Sequence, residues 1–516
     1  MGPDHPETLL IRADSSTEIG AGHVMRCLAL SEAWQAEGGD AVLVGRLSHG
    51  TLQKRLQSKG IRFIPLEDGE NDIDRALGVL DHDAVSWVVL DGYQFDTAYQ
   101  RRVRRPGIRL LVIDDVAHLS QYHADLLLNQ NIGAGQLAYA YEAGTKLLLG
   151  PHYSLLRPEF ALRRMAPRRQ GGPGRRLLVT LGGSDPANIT GAVVRALLAL
   201  KYELEVTIVV GSDNLHRQAL QSEVAETGGA FRLVVEPEVM AALMADADLA
   251  VAAGGITSWE LAFMGLPSLV ITAAQNQRGN AEGLAAAGIA VDLGWYADLS
   301  EERLCDAVRS ALRDEAWRLR ASELGRRLVD GAGARRVVQA MRSAAMPFDV
   351  SRLHIRPAGL EDVVPLWQLA MDREVRAHAF RSESIPFDRH VAWLAKKLEA
   401  TNSRIWLMEL DGTVVGQVRY DRCSDDVAEI DFAIAREFRG RGLGTRLLCL
   451  TAEPACSALG VARLRAFALE SNPSSKRAFL KAGFSVVAEN QPVHGRACSV
   501  FEWNSAMRGG GWGHLS

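Results

Sequence analysis

At 516 residues the chain is too long for one ordinary domain, and three domains is the natural expectation. Hydrophobic residues at 47% and charged residues at 23% describe a soluble globular protein with ample core, and a net charge of −4 argues against nucleic acid or an anionic membrane as the main partner. The six cysteines (Cys27, Cys305, Cys423, Cys449, Cys456, Cys498) show no Cys-x-x-Cys pair and no disulfide-like spacing. That suits a reducing cytoplasm and gives no sign of structural zinc.

The opening "MGPDHPETLL" has neither a basic start nor a signal-length apolar run, and no stretch reaches transmembrane length, so a cytoplasmic location is expected. The first element is the apolar run Leu9 to Ile11, which ends in Arg12 and Asp14. "EIGAGHVMRC" (18–27) follows, and Val24, Cys27, Leu28, Ser31 and Trp34 then fall on one helical stripe that Gly38-Gly39 ends. The unit reads as strand, glycine loop and helix, with His23 on the helix's first turn. A helix N-terminus attracts anions through free N–H groups and its dipole. Histidine is the side chain suited to taking a proton near neutral pH. Gly20 and Gly22 let a ligand come close, and Arg12 and Asp14 lie on the preceding strand end, so His23 is a candidate base. The plain alternative is a histidine that hydrogen-bonds a loop carbonyl.

Short apolar runs separated by helix-length segments continue through "AVLVGRL" (41–47), "IRFIPLE" (61–67), "SWVVLDGYQ" (86–94), "RLLVIDDV" (109–116) and "ADLLLNQN" (124–131). The alternation marks a parallel sheet with helices on both faces. "LDGYQFD" (90–96) and "VIDDVAH" (112–118) put polar groups at strand C-termini, where open α/β sheets bind ligands, although one of Asp114 and Asp115 is expected to be a helix cap. "MAPRRQGGPGRR" (165–176) interrupts the pattern as a linker. The pattern restarts with "RLLVTLGGSDPANIT" (176–190), then "LEVTIVVGS" (204–212), "FRLVVEP" (231–237), "ADLAVAAGG" (247–255) and "PSLVITA" (267–273). Two similar halves, 1–165 and 166–345, should therefore present their glycine loops to each other across a cleft. "GGITSWELAFMGLP" (254–267) places two glycines and Ser/Thr hydroxyls before a helix carrying Glu260, an arrangement suited to a nucleotide diphosphate and its ribose diol. Glu260 can equally be a first-turn glutamate favoured by the dipole.

A third region, 351–505, differs in character. "RLHIRPAGLEDVVPLWQLAM" (352–371) reads as strand, turn and amphipathic helix, and "IWLMELDGTVVGQVRYD" (405–421) as a hairpin around Asp411-Gly412. "VAEIDFAIA" (427–435) is another alternating strand, running into "REFRGRGLGTRLL"; "MRGGGWGHLS" (507–516) reads as a disordered tail. No His/Asp/Cys cluster with ligand spacing appears, so no metal is expected.

"RADSSTEIGAGHVMRCLALSEAW", "LDGYQFD", "GPHYSLLRPEF" and "AAGGITSWELAFMGLP…AQNQRGNA" together resemble the UDP-2,4-diacetamido-2,4,6-trideoxy-β-L-altropyranose hydrolases of pseudaminic acid biosynthesis, over roughly residues 8–345. The resemblance implies a GT-B fold of two Rossmann-type domains and metal-independent hydrolysis at the anomeric carbon, releasing UDP with inversion. It makes His23 the group that activates water, Tyr93 and Asn276 contacts to the sugar, and Ser258 and Glu260 ligands of UDP. Arg12, Asp14, Gly22 and Asp91 complete the expected substrate-binding set.

The last region resembles the GNAT N-acetyltransferases, an α+β fold. "FRGRGLGTRLL" (438–448) is close to their Arg-x-x-Gly-x-Gly motif, and "SNPSSKRAFLKAGF" (471–484) follows it. The resemblance implies acetyl-CoA as co-substrate, its pyrophosphate held by Arg439, Gly440, Arg441, Gly442, Leu443 and Gly444, with Ala433, Ile434 and Asn472 beside it. Glu429 becomes the candidate base. Many members carry a tyrosine, which protonates the leaving thiolate, where this chain has Phe479. The expected function is bifunctional: acetylation of the 4-amino group of a UDP-linked amino sugar, then hydrolysis of the product. Two alternatives stay open, a GT-B glycosyltransferase with an appended acetyltransferase, and a nucleotide-sugar enzyme whose GNAT domain only senses acetyl-CoA.

Overall fold

The computed structural model describes residues 7–16, 19–47, 50–67, 72–82, 84–164, 172, 174–200, 202–212, 214–237, 239–344 and 348–505. The opening six residues, most of the 165–176 linker and the 507–516 tail lie outside them. The chain forms two compact units that divide between residues 345 and 346.

The first unit holds two parallel sheets. The first comprises β1 (Thr8–Ala13), β2 (Asp40–Gly45), β3 (Arg62–Pro65), β4 (Val85–Asp91), β5 (Arg109–Ile113), β6 (Leu126–Asn129) and β7 (Lys146–Leu149), in the order β3-β2-β1-β4-β5-β6-β7. Alternate residues feed two cores, as a sheet covered on both faces requires. Leu9, Ile11 and Ala13 join the core under helix α1 (Gly22–Ala36), whereas Leu10, Val42 and Val44 join the other. The short "KLLL" of β7 was not among the expected strands. The same holds for β13 in the second sheet.

That second sheet comprises β8 (Arg176–Thr180), β9 (Glu205–Val210), β10 (Phe231–Val235), β11 (Leu249–Ala253), β12 (Ser268–Thr272) and β13 (Ala290–Trp295). Its order is β10-β9-β8-β11-β12-β13, all parallel. Helix α2 (Thr257–Met264) follows β11. The last helix of the unit, α3 (Gly333–Ala344), does not pack with this sheet. Its Ala334, Val337, Val338, Ala340 and Met341 enter the core beneath α1, and Arg342 stacks over the Trp34 ring at 4.2 Å. The first core is thus completed by a segment from the far end of the unit.

The second unit is a mixed sheet of β14 (Leu353–Pro357), β15 (Ser403–Leu410), β16 (Thr413–Arg422), β17 (Val427–Ile434), β18 (Arg463–Leu469), β19 (Ser485–Val493) and β20 (Arg496–Asn504). The order is β14-β15-β16-β17-β18-β20-β19, and only β17 and β18 run parallel. The expected hairpin joins β15 to β16 through Asp411 and Gly412, both at positive φ (50° and 76°) as a two-residue turn demands. Helix α4 (Leu443–Leu459) packs across the sheet, burying Leu447, Leu448 and Ala455. Among the described residues no helix is long and apolar enough to cross a membrane.

Candidate active sites

Both parallel sheets reverse their strand order between two central strands, β1 and β4 in the first and β8 and β11 in the second. Crevices beyond the strand ends at such points are where open α/β sheets take ligands. The loops leaving these strands meet. A Cβ placed on Gly22 would lie 3.2 Å from the Ile256 side chain of the loop after β11, so the two loops approach closely here. Tyr93, just past β4, accepts a hydrogen bond from Asn276 Nδ2 at 3.0 Å, joining the two sheets' loops. The loops of the two sheets thus face each other, with Tyr93 and Asn276 in contact.

His23 sits on the second residue of α1, and its Nδ1 lies 2.5 Å from Oδ1 of Asp91, the last residue of β4. Asp91 also accepts from Arg26 Nε and Nη2, both at 2.6 Å, and from the Cys27 thiol at 3.4 Å. Burial alone would raise the Asp91 pKa, but Arg26 and His23 together hold it below the usual carboxylate range. An ionised Asp91 accepts a hydrogen bond from Nδ1–H of His23, which leaves the lone pair on Nε2. Arg26 in turn donates to Asp115 at 2.9 and 3.0 Å, so a buried Asp–Arg–Asp chain backs the histidine. The Tyr93 ring lies edge-on to His23 at 5.9 Å. Burial, with the nearby Asp115 charge, pushes its phenol up to about 12. Tyr93 is therefore a neutral donor.

Several of the expected ligand contacts are engaged by protein partners. Asp91 is 1% exposed and Arg12 is fully buried. Despite burial, Asp72 and Asp14 keep Arg12 charged through hydrogen bonds of 2.5–2.8 Å. Asp14 is spoken for as well, accepting from Arg12, from Gln94 Nε2 at 2.9 Å and from the Arg46 amide at 2.7 Å. Asp114 caps a turn rather than a helix, taking the amides of Val116 and Ala117. Arg26 and Asp115 were the positions missed. Arg26 lies three residues after His23, on the same helix face, which was the available signal.

At the second switch point Ser258 is buried, and its hydroxyl donates to the Ala253 carbonyl at 3.3 Å. Glu260 points into the same region with its side chain 12% exposed. Burial pushes its carboxyl up, against the opposing pull of Arg157, whose Nη2 lies 3.1 Å away. Arg157 belongs to "GPHYSLLRPEF", and its partnership with a glutamate 103 residues on has no local signature.

In the second unit β17 and β18 pair only as far as Ile430 and Ala466, then part. A cavity of about 1030 Å³ opens where they separate, lined by Phe432, Ala433, Ile434, Arg439, Gly440, Gly442, Leu443, Gly444 and Asn472, and on its other side by Glu429, Asp431, His390 and Trp393. Gly440 and Gly442 have φ of 76° and 78°, aiming successive amides ahead of a 17-residue helix. That donor set fits a pyrophosphate, and the residues present fit acetyl-CoA. Arg441 is the exception: its guanidinium stacks on Phe348 at 4.8 Å and it does not line the cavity. Arg439 is held by the Ile434 carbonyl at 2.9 Å and by Asp372 at 2.7 Å. The Asn472 side chain caps the helix Pro473–Lys481 through the Ser475 amide. Phe479, 2% exposed, is clasped by Phe432, Phe484 and Phe501 at 5.3 Å each. Glu429 and Asp431 share one face of β17, two residues apart.

Comparison with known proteins follows this division. Residues 352–485 match the Acetyltransferase (GNAT) domain family, and residues 177–323 the Glycosyltransferase family 28 C-terminal domain. Three relatives match part of the chain. The uncharacterized protein MJ1062 of Methanocaldococcus jannaschii is 26% identical over 277 residues, 52% of this chain and only 56% of its own length. The spore coat polysaccharide biosynthesis protein SpsG of Bacillus subtilis is 29% identical over 231 residues, 44% of this chain and 68% of its own. The UDP-2,4-diacetamido-2,4,6-trideoxy-beta-L-altropyranose hydrolase of Campylobacter jejuni is 23% identical over 287 residues, 55% of this chain and 98% of its own. Among solved structures, Acinetobacter baumannii MurG aligns with 66% of this chain and all of its own at 16% identity (TM-score 0.46). Spermidine N-acetyltransferase from Vibrio cholerae aligns with 30% of this chain and 97% of its own at 16% identity (TM-score 0.29). The chain thus joins, in one polypeptide, a GT-B-type pair of parallel sheets whose second member is a glycosyltransferase-family-28-like domain to a GNAT-type acetyltransferase domain.

Proposed function

We propose that the first unit hydrolyses a UDP-linked diacetamido-trideoxy sugar at its anomeric carbon. We propose further that the second unit makes that substrate by acetylating the 4-amino group of its precursor, a sequence that belongs to pseudaminic acid biosynthesis. The observation that carries the hydrolase reading is the His23–Asp91 pair. Nδ1–H donates to Asp91, so Nε2 is the nitrogen able to accept a proton from water. Water oxygen bonds to the anomeric carbon as the bond to the UDP β-phosphate oxygen breaks, and the water proton passes to Nε2. The departing diphosphate is already a stable anion and needs no acid. One displacement inverts the anomeric centre. Tyr93 and Asn276 hold the sugar, and Glu260, aligned by Arg157, takes the ribose hydroxyls.

In the second unit the amine nitrogen attacks the acetyl carbonyl, the carbon–sulfur bond breaks and CoA leaves as thiolate. Glu429 accepts the amine's proton, directly or through water. Acetyl-CoA supplies the activated acetyl group, and the amides of 439–444 hold its pyrophosphate.

A second reading is favoured by the family 28 match: transfer of the sugar to an alcohol. Acceptor-free incubation with the diacetamido nucleotide sugar separates the two. Hydrolysis predicts steady UDP release with water alone; release that appears only when an alcohol acceptor is added makes the protein a transferase.

A further inference from the structure

Two histidines make T-shaped ring contacts with Tyr93. His23 lies 5.9 Å away at 86°, and His118 lies 5.5 Å away at 87°. The second histidine repeats the orientation of the first. Its Nδ1 is 2.7 Å from Asp114 Oδ2, as that of His23 is 2.5 Å from Asp91, and both aspartates are 1% exposed.

One loop builds both arrangements. After β5, Asp114 orients His118, while its neighbour Asp115 holds Arg26 and through it Asp91. Asp114 is itself fixed by the Tyr122 hydroxyl and by the amides of Val116 and Ala117. Ala117 adopts a φ of 55°, a left-handed conformation that disfavours alanine and is kept where its surroundings demand it. The His118 side chain remains 27% exposed beside Tyr93. With Nδ1–H donating to Asp114, Nε2 keeps a lone pair that no protein group among the described residues takes.

We propose that His118 is a second sugar-contacting residue beside Tyr93: its Nε2 accepts a hydrogen bond from an N–H or O–H of the sugar. The inference rests on the nucleotide-sugar reading above and adds a specificity-determining contact to it. An acetamido N–H and a ring hydroxyl are both donors of the required kind. His118 performs no proton transfer in this scheme, since His23 takes the water proton and the diphosphate leaves unaided.

The test is calorimetric, so that it does not depend on turnover. Affinities for the diacetamido UDP-sugar and for UDP alone are measured in the His23→Ala protein and in the same protein carrying His118→Ala or His118→Gln. A contact to the sugar predicts about tenfold weaker binding of the nucleotide sugar in His118→Ala, the loss of one hydrogen bond. UDP affinity should stay unchanged, and His118→Gln, which keeps a polar end, should recover part of the loss. Equal affinity of all three proteins for the nucleotide sugar overturns the contact while leaving hydrolysis standing. Parallel loss of UDP and nucleotide-sugar affinity overturns it too, by making His118 a structural support. Nucleotide-sugar binding that depends on His118, in a wild-type protein that never releases UDP, overturns the hydrolase reading instead.

Discussion

His23 Nδ1 and Asp91 Oδ1 stand 2.5 Å apart, the histidine on the first turn of a helix and the aspartate at the end of the neighbouring strand. The contact fixes which ring nitrogen is basic, and Arg26 keeps the aspartate ionised to maintain it. Removing either residue should stop the reaction, but with different side effects. His23→Ala should lower UDP release by about 10²–10⁴ while leaving UDP affinity and thermal stability near wild type. Asp91→Asn should lower the rate and also destabilise the unit by about 3–5 kcal/mol, because Arg26 is left buried without its closest charge partner. Thermal unfolding beside initial rates checks the pair. An Asp91→Asn protein of full stability that loses only nucleotide-sugar affinity would restore Asp91 as a substrate ligand.

Glu260→Gln replaces one acceptor oxygen with a donor and should weaken UDP binding by about 1–3 kcal/mol in calorimetry. A pH dependence follows from its burial, which raises the carboxyl above the usual glutamate value. The ionised form accepts the ribose hydroxyls, so affinity should be full at high pH and fall on acidification earlier than an ordinary glutamate would allow. An affinity equal in both proteins, with the same pH profile, would return Glu260 to dipole compensation.

Phe479 stands where a thiolate-protonating tyrosine is common, clasped by three aromatic rings. Those contacts fix the ring, which also lines the cavity. Phe479→Tyr should therefore keep the fold and raise CoA release up to about tenfold below the ordinary thiol pKa of about 8.5. Loss of stability without a rate gain would place the new hydroxyl inside the aromatic cluster.

His390, 4% exposed on the cavity wall, has its pKa lowered from 6.5 to about 4, first by burial and then by Arg376. A group depressed in the folded state takes up its proton more readily when unfolded. Its stability contribution is full above about pH 6.5 and is lost as pH falls toward 4, on the order of 3 kcal/mol in all. Chemical unfolding of the second unit between pH 7 and 4 should show this loss, and His390→Gln should flatten it. Identical pH slopes in the two proteins would show that His390 titrates normally.

The local patterns carried most of the architecture. Period-2 strands, glycine loops and the Asp411-Gly412 turn depend on neighbours in the chain, and those elements lie where expected. Pairings across long separations did not show. Arg12 and Asp91 stand at strand ends, where polar residues usually face ligands, but Arg12 is bonded to Asp72, 60 residues on, and Asp91 to Arg26, 65 residues back. Each charge is thereby compensated inside the core, and no local pattern distinguishes that from a charge awaiting a substrate. Helix 333–344 is similar: the stretch around 331–350 reads as a domain boundary, and nothing local shows that it packs on α1, roughly 300 residues earlier in the chain. The bonded Tyr93–Asn276 pair came from resemblance, since the residues lie 183 positions apart.

One incubation bears on the whole sequence of reactions: the wild-type protein with the 4-amino UDP-sugar, with and without acetyl-CoA, following CoA and UDP separately. We expect CoA to appear first and UDP to follow it with a lag, both depending on acetyl-CoA and neither needing an alcohol acceptor. His23→Ala should keep the CoA signal and lose the UDP signal. CoA release without any later UDP, or UDP released at full rate from the unacetylated sugar, would contradict the coupling of acetylation to hydrolysis in this chain.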